Sequence, residues 1–442
     1  MTSKVGSTAP RAPNLWPCQN ALVADSDPRS LSLAPVKAGM IWIVTFAIAF
    51  VWQEPAPYEL LMVVLVAVAF LGGLGIPRSI APLLACLVIY MLGGMLAVTQ
   101  VPELDKAPLY MAVSGFLAAS SIFYAAIIAA NPSRMSLIAN ALIAAGILTS
   151  FIGTLAYFGV LPGSELFLRF DRARGTFEDP NVFGAFLIIP IAFLLRRLLT
   201  GSLNELPVTS ILLAILTVGV LLSFSRAAWG LLIGVGGLTV LITLIDSPSP
   251  RVKLRAMILA ALGTAALVLL ILAILASGDV ADVFRQRASF SQSYDVGAYG
   301  RFERHWLGFI LATELPLGLG PSEFWKIYGE DPHNVYLKGF IAYGWLGGIS
   351  YILLIALTFF RFCPILFRRR PWTELAQAVF VVFSLYTLLG WIIDTDHWRH
   401  MYMLIGLAWG VIAAEDRWGA TYEERNQRYR QRTIGQLVAA VK

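Results

Sequence analysis

The chain has 442 residues, 58% apolar and only 14% charged, with a net charge of +6 and a mean hydropathy of +0.72. That balance excludes a set of soluble domains, whose cores cannot hide so much apolar side chain. The cysteines number three, which rules out a disulfide framework and any four-cysteine zinc site.

Residues 1–35 include Asp25, Asp27 and Cys18 but lack the apolar core of a signal peptide, so they are expected to form a cytoplasmic tail. Nine apolar stretches follow, at roughly 36–52, 58–76, 80–101, 109–130, 135–161, 181–199, 208–224, 227–245 and 256–276. A polar segment at 277–334 comes next, then three more stretches at 335–362, 374–393 and 398–414, and a basic tail at 415–442. Most stretches have roughly 17 to 22 residues, enough to cross about 30 Å of hydrocarbon. The two longer ones should tilt or project from the bilayer. The expected fold is an all-α integral membrane protein of about twelve transmembrane helices.

Charge sets the orientation. With both termini cytoplasmic, the inner segments carry 21 of the 33 Lys and Arg and 9 of the 27 acids. This positive-inside pattern accounts for the basic composition without nucleic acid. The tail after Glu415 alternates acids and bases and is expected to lie on the inner membrane surface as a short helix. The outer segment at 277–334, with amphipathic stretches at 283–290 and 302–315, is expected to fold as a helical periplasmic cap.

His305, His333, His397 and His400, the four histidines of the chain, all fall on the outer side in this topology. The outer arginines come in three groups: Arg169, Arg172 and Arg174; Arg226 alone; and Arg285, Arg287, Arg301 and Arg304. A guanidinium fork matches phosphate oxygens, so a cluster at the outer leaflet points to a phosphorylated lipid. No phosphate-binding glycine motif is present, which excludes nucleotide chemistry. Ionisable residues inside the stretches are scarce, Lys338 being the main case, and this counts against an ion-coupled transporter. Gly230-x-x-x-Gly234 reads as a helix-packing motif.

Three segments then occur in order. They are Arg174-Gly175-Thr176-Phe177-Glu178-Asp179-Pro180-Asn181-Val182-Phe183-Gly184; Ser225-Arg226; and Gly300-Arg301 through Pro316-Leu317-Gly318-Leu319-Gly320 to Asp331-Pro332-His333-Asn334. After a nine-residue spacer comes Gly344-Trp345-Leu346-Gly347. Residues 170–350 thereby resemble the superfamily of bacterial O-antigen ligases and O-antigen polymerases, and the large lipid-dependent (GT-C-like) glycosyltransferase folds. The resemblance implies transfer of a preassembled glycan from an undecaprenyl-pyrophosphate donor at the periplasmic face of the inner membrane. The acceptor is lipid A-core in ligases and another lipid-linked glycan in O-antigen or exopolysaccharide polymerases. The nine-residue spacer leans toward the ligase.

The resemblance and the residue chemistry together assign His333 as general base. Arg226 and Arg301 would stabilise the departing pyrophosphate without a metal or other cofactor. Arg174, Arg304, Asn334 and Trp398 complete the expected substrate contacts. Asp331 could orient the imidazole or cap the following helix. Asp179 and Asn181 could be start signals for their helix, with Pro180 in its first turn. Glu103 and Asp105 read as a solvated acidic loop, and 394–400 as an outer rim that contacts glycan. The alternative class is a transporter or flippase of lipid-linked sugars. Reporter fusions near residue 300 and at the C-terminus should report opposite sides of the membrane; the same side would overturn the topology.

Overall fold

The computed structural model describes residues 34–52, 55–276 and 300–441. Nearly all of the expected N-terminal tail lies outside them, as does the stretch at 283–290 with Arg285 and Arg287. A helix falls on each of the twelve apolar stretches. These are α1 (Ala34–Ala47), α2 (Pro57–Leu71), α3 (Ala81–Val98), α4 (Ala107–Ala130), α5 (Arg134–Tyr157), α6 (Pro180–Thr200), α7 (Leu206–Leu222), α8 (Arg226–Asp246) and α9 (Pro250–Leu275), then α12 (Val335–Phe362), α13 (Thr373–Leu389) and α14 (Arg399–Val441). Between α9 and α12 the outer segment contributes α10 (Arg301–Glu314) and the short α11 (Glu323–Tyr328). A two-stranded hairpin, β1 (Leu168–Arg169) and β2 (Arg172–Ala173), precedes α6.

Among the described residues, eight helices are long and apolar enough to cross a membrane, namely α3 to α9 and α12. The apolar helices α1, α2 and α13 are shorter. α9 buries almost none of its surface inside the protein. A helix this apolar, left almost bare by the described residues, needs hydrocarbon as its solvent. The chain is therefore a multi-pass α-helical membrane protein.

The core lies where α14 runs along α4, α12 along α3, and α6 against α7, α8 and α13. The α14–α4 crossing is close because Gly406 and Gly410 face it. A methyl at Gly406 would stand 2.4 Å from the Ser121 carbonyl oxygen, and one at Gly410 2.6 Å from Ile128 Cβ. Small residues one turn apart let the two backbones meet. The expected motif in α8 is weaker, since a methyl at Gly230 would touch nothing within 4 Å.

Two expectations change. The segment after Glu415 is no separate surface helix, because α14 continues unbroken for 43 residues. At 1.5 Å per residue it is about 64 Å long, twice the hydrocarbon thickness. The long stretch at 335–362 does not tilt as one rod. Gly344 adopts φ 66° and ψ −175°, and the helix breaks there. The first part folds back so sharply that a methyl on Gly339 would lie 3.4 Å from the Gly348 Cα. Nine residues of straight helix would separate these positions by about 13.5 Å.

The segment Pro316-Leu317-Gly318-Leu319-Gly320 fills the break. Trp345 N donates to the Pro316 oxygen at 2.8 Å, and Leu319 N and Gly320 N donate to the Ile341 oxygen at 2.8 and 3.1 Å. Both glycine-rich motifs thus meet at one joint. Gly344→Ala should lower stability by at least about 1–2 kcal/mol from backbone handedness alone. The added methyl would also meet the Pro316 oxygen at 2.8 Å. Thermal unfolding in detergent checks this, with Gly230→Ala as the matched control that should stay unchanged or gain stability.

Candidate functional site

The fold-back of α12 carries the 330–334 loop against α10 and against the linker between α13 and α14. Asn334 begins α12, its Oδ1 accepting from Tyr336 N and Leu337 N, both at 3.1 Å. Val335 N donates to the Gly390 oxygen at 2.8 Å, so the helix start is tied to the end of α13. His333 precedes the cap with φ 53°, in the left-handed region. A side chain there costs about 1–2 kcal/mol and is rare outside turns and sites of function.

Charged groups surround this imidazole. Nδ1 stands 3.7 Å from Asp394 Oδ2, and Nε2 stands 3.6 Å from Glu330 Oε2. Glu330 also pairs with the buried Arg304 at 2.6 Å. His305, one residue further along α10, lies against the backbone of Pro332 and His333. Behind the loop, the Lys338 ammonium lies 2.9 Å from Asp331, 3.4 Å from Asp396 and 4.0 Å from Asp394. Tyr110 Oη donates to Asp396 Oδ2 at 2.6 Å, which ties α4 into the network.

Burial lowers the His333 imidazole below its ordinary value, and the Arg301 charge adds to this while Glu330 opposes it. Burial pushes the Asp394 carboxyl up to about 7, with Lys338 working against the rise. Burial works against the Asp396 carboxylate too, but Lys338 and His397 outweigh it and hold it below the ordinary range. His333 therefore stays neutral to a lower pH than a free imidazole. Its imidazole is available as a proton acceptor.

The expected residues fall into two groups. His333, Arg301 and Arg304 come together, and Asn334 joins them as the helix cap. Its buried oxygen is occupied by two backbone amides, so a substrate contact through that atom is not available. Asp331 neither caps the helix nor orients the ring; its carboxylate binds Lys338. Asp394 is the carboxylate beside Nδ1, and its Oδ1 is buried with no hydrogen-bond partner among the described residues. Glu330 thus stands on one side of the imidazole, paired with Arg304, and Asp394 on the other. Among the described residues, no three His, Cys, Asp or Glu side chains are grouped to hold a metal ion.

The second group surrounds the hairpin. Arg172 is buried, with Nε donating to the Ser223 oxygen at 2.7 Å and Nη2 to Asn181 Oδ1 at 2.8 Å. It pins the hairpin to the start of α6 and the end of α7, just before Arg226 opens α8. Asp179 caps α6, accepting from Asn181 N at 2.7 Å. Arg174 donates to the Glu178 and Leu166 carbonyl oxygens at 3.2 and 3.0 Å and so shapes its own loop. Trp398 is buried against Tyr386 and His400 and forms no open rim. A cavity lined by the 177–182 and 397–400 segments brings hairpin and linker to the same end of the bundle.

The sequence matches no protein-family model and no curated protein.

The charges around His333 give opposite expectations for two variants. Arg301→Gln should raise the pH at which His333 titrates, and Glu330→Gln should lower it. In the native protein less than half of His333 should be protonated at pH 6.5. Because its folded-state value is depressed, His333 costs stability as pH falls below about 6.5. Histidine-selective NMR across pH 5–8 reads all three.

Proposed function

We propose that this chain is a glycosyltransferase of the bacterial inner membrane, with twelve spans, both termini cytoplasmic and its site facing the periplasm. It transfers a preassembled glycan from an undecaprenyl-pyrophosphate donor to a lipid A-core acceptor, as an O-antigen ligase does. A polymerase using another lipid-linked glycan as acceptor would share the chemistry. The observation that carries this reading is the position of Glu330. Its exposed carboxylate stands between Arg304 and His333, so the site already accommodates an anion beside an imidazole. A donor phosphate oxygen would take that place, and Arg301 and Arg304 would hold it.

The reaction needs one proton acceptor and one anion site. The acceptor hydroxyl gives its proton to His333 Nε2 while its oxygen bonds to the anomeric carbon. The carbon–oxygen bond to pyrophosphate breaks, and the pyrophosphate leaves with the electron pair. Asp394, beside Nδ1, stabilises the imidazolium that forms. Fixed guanidinium groups stabilise the leaving group without reorganising. One displacement inverts the anomeric centre. Arg226, at the same end of the bundle, is a further phosphate contact in this reading.

A transporter or flippase would use the arginines but has no need of a base. His333→Ala should therefore keep the protein folded and inserted yet lose about 100- to 10,000-fold in transfer rate. Arg226→Lys should not restore the native rate, because a point charge cannot replace bidentate contact; the loss should be about 100- to 1,000-fold. Purified protein with a lipid-linked glycan donor measures both. Transfer at the native rate by His333→Ala would remove the catalytic role of the imidazole.

A further inference from the structure

Apart from the charged groups at His333, a cavity of about 170 Å³ opens between the α6 start and the linker that leads into α14. Its walls include Phe177, Glu178, Asp179, Trp398, Arg399 and His400. The volume is many times what a single water needs, about 10–15 Å³. It is smaller than the pockets of drug-sized ligands, which start near 300 Å³. The occupant is therefore one small ring or its equivalent.

The wall, and the rings packed behind it, define the kind of ring. His400 is 2% exposed and stands among Phe186, Tyr386 and Trp398, with ring centroids 5.9, 5.5 and 5.0 Å away. Its Nε2 has no hydrogen-bond partner among the described residues. A buried polar atom on a cavity wall without a partner calls for one from a ligand or ordered water. The fixed charges disfavour an anion, since Arg399 is already paired with Glu59, Glu178 is paired with Arg169, and Asp179 adds a further carboxylate to the wall. They do not assemble a cation site, because no three possible ligands group there among the described residues. Phe177 and Trp398 on the wall, an imidazole and the Asp179 carboxylate suit a neutral polyhydroxylated ring, whose C–H faces and hydroxyl edges need both.

Position links the cavity to the reaction. The 394–400 segment supplies Asp394 to His333, Asp396 to Lys338, and His397, Trp398, Arg399 and His400 to the cavity. We infer that this cavity holds one neutral pyranose residue of a glycan substrate. The inference rests on the glycan-transfer reading and adds a sugar subsite to it.

The test uses the full-length protein in detergent with a panel of methyl pyranosides: glucoside, galactoside, mannoside and N-acetylglucosaminide. Saturation-transfer NMR should show at least one of them binding. His400→Leu and Asp179→Asn should each weaken that binding at least tenfold. The second variant keeps a good helix cap, so loss of fold is not its expected effect. Inorganic pyrophosphate should not displace the glycoside from the cavity. Absence of saturation transfer, binding undiminished in both variants, or displacement by pyrophosphate would overturn the assignment and leave the cavity to water or to an anion. Glycoside binding by a protein that transfers no glycan would keep the sugar subsite and overturn the reaction instead.

Discussion

A lysine ammonium placed among apolar helices must find carboxylates, because its hydration is lost and nothing else nearby replaces it. Lys338 finds three, from two separate segments: Asp331 in the outer loop, and Asp394 and Asp396 in the α13–α14 linker. Asp396 in turn receives the Tyr110 hydroxyl from α4. One cation thereby fixes four parts of the chain relative to one another. His333 lies two residues from Asp331 and touches the edge of Asp394, so its place follows from that constraint. Removing the ammonium would leave three carboxylates facing each other, at a cost of about 3–5 kcal/mol.

The broken helix serves the same arrangement. In hydrocarbon an interrupted helix exposes backbone groups that must find partners. Transporters leave such groups open to bind ions or substrate. Here the glycine-rich segment after α10 takes up the Ile341 carbonyl and offers the Pro316 carbonyl to Trp345. The break is closed by protein backbone and offers no ion site at those atoms. Its effect is geometric, since it turns the start of α12 back toward the linker and delivers His333 to Asp394.

Hydropathy was sufficient to find the helices, because every apolar stretch of the sequence is long enough to demand one. It could not find the break, since apolar residues continue on both sides of Gly344 and only the sign of one backbone angle changes. His333, Arg301 and Arg304 were legible as a group because a short chain segment contains them all. Lys338 and Asp394 were assigned apart, one to a span and one to a rim, as some 55 residues separate them and only the tertiary fold joins them. Around the hairpin, the sequence offered three outer arginines and singled out Arg174. Burial distinguishes them: Arg172 is enclosed and joins the start of α6 to the end of α7, whereas Arg174 serves its own loop. Asp179 and Pro180 were readable as a helix start because capping is local.

The left-handed backbone at His333 sets the choice of residue against the choice of fold. Glycine would be the most comfortable occupant there, with asparagine next, and a β-branched residue the least. Substitutions that improve stability at this position are thus the ones that delete the imidazole. Selection for stability alone would drift away from histidine, as happens where a site and its scaffold make opposing demands. Stabilised variants of this protein should therefore be sought elsewhere in the bundle, with position 333 held constant.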